Sequence, residues 1–271
     1  MNKSHVLDCL DTGRGRAVLL LHDALLAPDS WDEQIAQLEQ ADFRVIVPDL
    51  SSCAHTEDIA AYADAVVALL NRLGIGRLAA CGTGMGGLVL FALLERIPRR
   101  IVGAGFINTR PGADDVQEKL KRAEIIKDLE HGNEPRAREE LLKMLFGGRE
   151  KYLCSSARKS IIDRISNCDR QLLLGQLKAM QVRKNYASLL GTIELPTLVM
   201  CGRDDKICHP GYSEIMENQL PNCFASVTLE GGHLVQYEKA EQVSAKLIAF
   251  LRTLAPPQPA RVRSLCSLRA A

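Results

Sequence analysis

The segment Leu78-Ala79-Ala80-Cys81-Gly82-Thr83-Gly84-Met85-Gly86-Gly87-Leu88-Val89-Leu90 decides how the rest of the chain is interpreted. Its first four residues form a short apolar run that is typical of a buried strand, and residues 88–94 form a second apolar run that is periodic enough for a helix. Four glycines in six residues separate the two runs, so the chain can turn sharply from strand to helix with few side chains in the way.

The glycine turn has two chemical interpretations. Gly82, Gly84 and Gly87 match G-x-G-x-x-G, the phosphate-binding loop of dinucleotide sites. The run Gly82-Thr83-Gly84-Met85-Gly86 also matches G-x-S-x-G, the nucleophile elbow, at every position except the nucleophile itself. A tight packing turn without chemistry is the third interpretation, so the elements around the turn must decide.

Composition excludes several classes of function. The 271 residues carry a formal charge of +1 and are only 4% aromatic, which argues against nucleic acid as a partner. The chain starts without an apolar leader, and no apolar run reaches the ~18–20 residues of a membrane span. The nine cysteines are odd in number and include no C-x-x-C pair, which predicts reduced thiols. We therefore expect a cytoplasmic protein with a small-molecule substrate or ligand, without cofactor, metal or membrane partner; the oligomeric state stays open.

Strands and helices alternate along most of the chain. Apolar runs predict the strands, an amphipathic helix is predicted at 57–73, and a last helix is predicted at 238–254. This alternation predicts a mainly parallel, doubly wound α/β sheet. The predicted strands are 16–21, 43–50, 78–81, 101–107, 195–202 and 224–229.

The alternation is interrupted between residues 111 and 191. This segment shows only helical periodicity and is rich in charges, which predicts a helical cap of short helices inserted into an α/β core of residues 1–110 and 192–255. Residues 256–271 begin with a proline-rich run and contain no Asp or Glu, so this tail is predicted to be disordered. The predicted cap helices are 116–130, 135–146, 156–165 and 170–182.

The order of elements favours the elbow over the phosphate loop. A dinucleotide loop normally follows the first strand and needs an acid at the end of the next one. Here at least two strands precede the turn, and the following strand ends in Asn108-Thr109-Arg110, without an acid. A dinucleotide site stays open only because Arg110 could bind the phosphate of a phosphorylated ribose. An elbow instead needs an acid after a later strand and a histidine after the last one. Asp205 and His233 occupy those places.

The chain resembles the α/β-hydrolase superfamily, in the group of small capped esterases, lactonases and C–C bond hydrolases. The resemblance implies an α/β-hydrolase sheet with a helical cap and a small-molecule substrate. The matching segments are Leu19-Leu20-Leu21-His22, Val45-Ile46-Val47-Pro48-Asp49-Leu50, Cys81 to Gly87, Thr197-Leu198-Val199-Met200-Cys201-Gly202-Arg203-Asp204-Asp205 and Gly231-Gly232-His233.

The resemblance assigns roles to five positions. It implies that His233 is the general base, that Asp205 orients it, and that Gly84 stands at the nucleophile position. The backbone amides of Ala24 and Met85 are implied to form the oxyanion hole, a role that needs no particular side chain.

Cap residues of two kinds are candidates for substrate contact. Arg183, after the predicted helix 170–182, is a candidate partner for a substrate carboxylate or phosphate. The helix dipole also favours a cation at that place without any role in binding. Met144 and Phe146 are candidates for an apolar pocket wall, with packing inside the cap as the alternative.

Two departures from the family pattern concern the chemistry. The usual His-Gly of the oxyanion loop is His22-Asp23 here, and Gly84 has no oxygen to acylate. One hypothesis is that serine has been lost, by engineering or by chance, from an ester, lactone or C–C hydrolase. A second is that His233 and Asp205 activate water or take a substrate proton without a nucleophile. A third is a ligand-binding pseudoenzyme, against which the intact Asp205 and His233 weigh.

Overall fold

A single seven-stranded sheet forms the centre of the molecule in the computed structural model, which describes residues 7–53, 56–148 and 153–254. The strands are β1 (Cys9–Gly13), β2 (Arg16–Leu21), β3 (Phe43–Pro48), β4 (Leu78–Thr83), β5 (Ile101–Ile107), β6 (Thr197–Gly202) and β7 (Cys223–Leu229). Their order is β1-β3-β2-β4-β5-β6-β7, and only β1 pairs antiparallel. The predicted fold class, a mainly parallel sheet of the α/β-hydrolase type, is confirmed.

Helices cover the sheet and connect its strands. The predicted helices at 116–130 and 170–182 match the structure, and the others differ by a few residues at their ends. Two helices were not predicted: α8, which begins at a proline after a histidine cap and is short, and α9, which is a single turn. The helices are α1 (Asp32–Gln40), α2 (Ile59–Arg72), α3 (Met85–Arg96), α4 (Val116–Glu130), α5 (Glu134–Phe146), α6 (Ser155–Asn167), α7 (Arg170–Val182), α8 (Pro210–Gln219), α9 (Val235–Glu238) and α10 (Ala240–Thr253).

The sheet separates two apolar clusters because side chains alternate along each strand. In β2, Leu19 and Leu21 pack in one cluster with α2 and α3, whereas Val18 and Leu20 pack in the other with α1 and α10. A strand that is buried on both faces must be apolar throughout, and this explains the continuous run in β2. The half-exposed β1 lies at the sheet edge and carries no such run, so sequence analysis missed it.

Helices α4 to α7 lie between β5 and β6 in the chain and pack around an apolar cluster of their own. Leu25 and Leu26 of the loop after β2 join this cluster, and the Leu25 amide donates a hydrogen bond of 2.8 Å to Gln176 Oε1 in α7. The segment predicted as a cap therefore contacts the loop that follows β2.

Two further predictions concern membrane-spanning helices and thiols. No helix in the described ranges has both the length and the apolar character needed to cross a membrane. The cysteines that the structure describes all have free thiols. The tail predicted to be disordered, residues 256–271, lies outside the described residues.

Candidate active site

The glycine turn between β4 and α3 has the backbone of an elbow. Gly84 lies at its apex with φ +48° and ψ −116°, in the region that L-residues with a side chain rarely adopt. The flanking glycines allow the close approach that the turn needs, because a Cβ on Gly82 would overlap the Gly86 carbonyl and one on Gly86 would overlap the Leu21 carbonyl. The backbone of an elbow is therefore present without a nucleophile at its apex.

Asp205 and His233 meet beside this apex. Asp205 follows β6 and His233 follows β7, and His233 Nδ1 donates a hydrogen bond of 2.8 Å to Asp205 Oδ2. The amides of Ile207 and Cys208 donate to Asp205 Oδ1 at 2.8 and 2.9 Å. Asp205 is almost completely buried. The structure thus brings together the two side chains that the sequence placed at successive strand ends.

Asn108 supports this pair from the end of β5. Its Nδ2 donates to Asp205 Oδ2 at 2.7 Å and to the Gly232 carbonyl at 2.8 Å. The residue has φ +46°, which asparagine tolerates better than most residues. Sequence analysis did not select Asn108, although a polar residue directly after a buried strand was a usable signal.

The side chain of Asp23 fills the space beside Gly84. Its Oδ1 accepts hydrogen bonds from the Met85 amide at 2.6 Å and from the Ala24 amide at 2.7 Å. Its Oδ2 accepts from His233 Nε2 at 2.9 Å. A Cβ on residue 84 would overlap the Asp23 carboxylate. The two amides predicted as an oxyanion hole do converge, but a carboxylate of the protein itself occupies them.

His22 fixes the backbone from which Asp23 projects. The Leu50 amide donates to His22 Nε2 at 2.9 Å, and His22 Nδ1 donates to the Asp23 carbonyl at 2.8 Å. Because Nε2 accepts a hydrogen bond, this fully buried ring carries its proton on Nδ1. His22 therefore holds the loop in place.

The two carboxylates control the protonation of His233. Burial lowers the pKa of His233, but the charges and hydrogen bonds of Asp205 and Asp23 outweigh this and raise it to about 10. Burial raises the pKa of Asp205, but the charge and hydrogen bond of His233 and the two amide hydrogen bonds outweigh this effect. The pKa of Asp205 therefore lies below its usual value. At neutral pH His233 is therefore an imidazolium between two carboxylates. It can donate a proton first, and it can act as a base only after that proton has left.

A pocket lies between these residues and helices α4, α5 and α7, and its free space is about 610 Å³ when the adjoining open solvent is included. Of the predicted contacts, Met144 and Arg183 line it. Phe146 is buried in the apolar cluster of the cap and is not among the described residues that line the pocket, so the prediction of a pocket-wall role for it is corrected. The lining residues are Asp23, Ala24, Leu25, Gly84, Leu88, Thr109, Arg110, Arg122, Met144, Leu145, Gln176, Leu177, Met180, Arg183, Ile207, Cys208 and His233.

Three arginines of the pocket wall surround one buried carboxylate, Asp114. Arg110 and Arg183 lie 2.9 and 2.6 Å from Asp114 Oδ1, and Arg122 lies 2.8 Å from Oδ2. Arg110 also pairs with Glu118 at 2.6 Å. Three guanidinium groups against two carboxylates leave one positive charge. We call these five residues the arginine cluster; sequence analysis selected only Arg183 from it as a substrate contact.

Asp205, Cys208 and His233 are the described residues whose donor atoms are grouped closely enough for a metal, within 4.8 Å of one another. Both nitrogens of His233 already bind carboxylates. Burial raises the pKa of the Cys208 thiol, which disfavours the thiolate that a metal requires. These residues therefore fit a hydrogen-bonded acid–base unit better than a metal site.

Comparisons with known proteins agree with the fold. A relative from Pseudomonas sp., a 2-hydroxy-6-oxononadienedioate/2-hydroxy-6-oxononatrienedioate hydrolase, is 26% identical, and the match covers 89% of this chain and 90% of the relative. Bifunctional epoxide hydrolase 2 of Sus scrofa is 24% identical over 91% of this chain and 53% of its own length. The structure of a thermophilic esterase from Thermogutta terrifontis superposes with a TM-score of 0.79 at 27% identity, covering 91% of this chain and 93% of the esterase.

A family model described as the alpha/beta hydrolase fold matches residues 16–240, from the first strand of the parallel sheet through His233. The match spans the elbow backbone, the acid after β6 and the histidine after β7. The chain therefore belongs to the α/β-hydrolase-fold family.

Proposed function

We propose that this protein is a hydrolase of a small organic acid that works without a serine nucleophile. Asp23, His233 and Asp205 form its reacting unit. The observation that supports this most is the Asp23 carboxylate, which is bound by the amides of Ala24 and Met85 and by His233 Nε2. Of the three hypotheses for Gly84, this favours an enzyme that needs no nucleophile at the apex.

Simple loss of serine from an ester, lactone or C–C hydrolase is less consistent with the site. Such a loss would leave a void at the apex and two unoccupied amide donors. Instead the carboxylate of Asp23 occupies both places. A substrate carbonyl could enter the hole only by displacing a charged side chain from two amide hydrogen bonds and an imidazolium.

The charges of the pocket wall support an anionic substrate. The arginine cluster carries one net positive charge, and Arg110, Arg122 and Arg183 line the pocket. Asp23, His233 and Asp205 together carry one net negative charge at neutral pH. A substrate with a carboxylate would be oriented with this group toward the arginines and its reactive centre toward Asp23. The Pseudomonas relative is named for a dicarboxylate substrate.

A substrate panel tests the proposal. It contains p-nitrophenyl esters, lactones, 2-hydroxy-6-oxo-dienoates and epoxy acids, each acid paired with its methyl ester. We expect turnover of at least one acid and a higher KM for its methyl ester. His233→Gln should lower kcat by about 10²–10⁴-fold, as loss of general acid–base catalysis does. His131→Gln, at an exposed helix end, is the matched control.

Two results would reject the proposal. Absence of turnover across the panel, together with binding of an acid, would identify a ligand-binding protein. Equal turnover by the wild type and His233→Gln would show that the proposed reacting unit takes no part in the reaction.

A further inference from the structure

The geometry points to Asp23 as a covalent nucleophile that attacks a carbon of an epoxide bearing a carboxylate group. This inference rests on the proposed function, because it names the bond that the same site opens. Carboxylates are established as enzymatic nucleophiles in general. What is particular here is the source of the carboxylate, a residue of the loop after β2 instead of the elbow.

The position of the Asp23 carboxylate supports this role. It overlaps the place where a Cβ on residue 84 would lie, so it occupies the space of the missing nucleophile. Its two oxygens have different partners: Oδ1 accepts from the amides of Ala24 and Met85, whereas Oδ2 accepts from His233 Nε2. Asp23 and His233 also line the pocket. Oδ2 is thus the oxygen that is available for attack.

The amide hydrogen bonds to Oδ1 decide which electrophile fits. Attack on an ester or lactone carbonyl would create an oxyanion on the substrate, and both amide donors are already engaged by Oδ1. Attack on a saturated carbon creates no oxyanion at that carbon. The substrate that this arrangement accommodates is therefore one with an electrophilic saturated carbon.

The proton on His233 distinguishes an epoxide from other such substrates. Opening an epoxide releases an alkoxide that must gain a proton, and the imidazolium at Oδ2 supplies one. In the first step Asp23 Oδ2 forms a bond to the ring carbon, the carbon–oxygen bond breaks, and the alkoxide takes the Nε2 proton. The products are a hydroxyalkyl ester of Asp23 and a neutral imidazole.

The second step reverses the role of the histidine. Once Asp23 is an ester, its charge no longer raises the pKa of His233, and Asp205 still holds the Nδ1 proton. Neutral Nε2 then takes a proton from water, and the hydroxide attacks the Asp23 ester carbon. The resulting oxyanion lies on Oδ1, where the amides of Ala24 and Met85 already donate. When this tetrahedral intermediate collapses, the ester bond breaks and the leaving diol oxygen takes the proton from His233. Asp23 is then a carboxylic acid, and it returns its proton to His233.

A single turnover in H2¹⁸O tests the covalent step. The enzyme in excess is mixed with epoxy acids, from glycidate to longer terminal epoxy acids, and both the diol and the peptide that contains Asp23 are analysed by mass spectrometry. We expect unlabelled diol and one labelled oxygen in Asp23. His233→Gln, which lacks both the proton donor of the first step and the base of the second, should form neither the adduct nor the diol, and Asp23→Asn should show no adduct.

The outcomes separate this inference from the proposed function. Label in the diol during the first turnover would show that water attacks the epoxide directly. This result would reject Asp23 as a covalent nucleophile but would leave the proposed serine-independent hydrolase unchanged. Turnover of other acids in the panel without any epoxide opening would overturn the substrate class alone. Absence of turnover of every substrate would reject both.

Discussion

The elbow and the loop after β2 contribute to the site in opposite ways. The elbow contributes backbone, with φ +48° at Gly84 and close-packed glycines on either side, but no side chain at its apex. The loop contributes the histidine His22, the amide of Ala24 and the carboxylate of Asp23. The two regions lie so close that the side chain of one occupies the space of the other.

This difference shows that the role of a side chain depends on where it lies in the folded site more than on which segment of the chain carries it. The backbone amides of Ala24 and Met85 create an electropositive point whatever the neighbouring side chains are. A carboxylate that reaches this point is stabilised whether it projects from the elbow or from the loop. A glycine at the apex leaves the room that such a relocation requires.

The largest expected effect comes from exchanging the two regions. Gly84→Ser combined with Asp23→Gly clears the hole and places a hydroxyl at the apex beside His233. We expect hydrolysis of p-nitrophenyl acetate to rise by at least about 10³-fold over the wild type, because the histidine, its acid and two free amide donors are then present. The assay is the initial rate of nitrophenolate release.

Gly84→Ala combined with Asp23→Gly is the control for this exchange, since it clears the hole without adding a hydroxyl. A folded Gly84→Ser/Asp23→Gly protein that is no faster than this control would mean that the elbow no longer presents its apex to the histidine.

Gly84→Ser alone should destabilise the protein without creating an esterase. The new Cβ overlaps the Asp23 carboxylate and adopts a φ that suits glycine. We expect the free energy of unfolding to fall by about 1–3 kcal/mol, measured by urea denaturation. Gly76→Ser is the matched control, because a Cβ there has no neighbour within 4 Å. Equal stabilities of the two variants would contradict the overlap.

The smallest effect is a pH dependence of stability. Because the pKa of His233 is raised from 6.5 to about 10 by its carboxylates, its stabilising contribution is complete below pH 6.5 and is lost as pH rises toward 10. The free energy of unfolding should therefore decrease by up to about 1.4 kcal/mol per pH unit above pH 6.5. Urea titrations between roughly pH 6.5 and 7.5, about one unit below the pKa of a free thiol, measure this slope.

Variants of the same site sharpen the pH experiment. His233→Gln should remove this part of the slope. In Asp23→Asn the decrease in unfolding free energy should end at a lower pH, because only one of the two carboxylates that raise the pKa of His233 remains. A slope that Asp23→Asn leaves unchanged would show that the loop carboxylate does not bind the imidazolium in solution.

The sequence was sufficient for the fold and for one half of the site. Buried parallel strands are continuous apolar runs, so their ends could be located, and the residues after those ends, Asp205 and His233, could be paired. The edge strand β1 was missed because half-exposed strands have no such run.

The other half of the site depends on contacts between distant parts of the chain. Asp23 was noted only as a departure from His-Gly, because sequence spacing does not show that its side chain reaches the apex. The arginine cluster joins Arg110 and Asp114 after β5, Arg122 in α4 and Arg183 after α7. The signal that was available was the combination of two departures from the pattern that the resemblance implies: a glycine at position 84 and a carboxylate at position 23.

The occupied hole also determines how this protein responds to inhibitors. Fluorophosphonates and boronic acids block serine hydrolases by bonding to the serine oxygen and placing an anionic oxygen on the two amides. Gly84 offers no such oxygen, and Asp23 already holds the amides. We therefore expect the protein to remain unlabelled in activity-based profiling of serine hydrolases, and reagents that alkylate carboxylates are the probes that test the proposed role of Asp23.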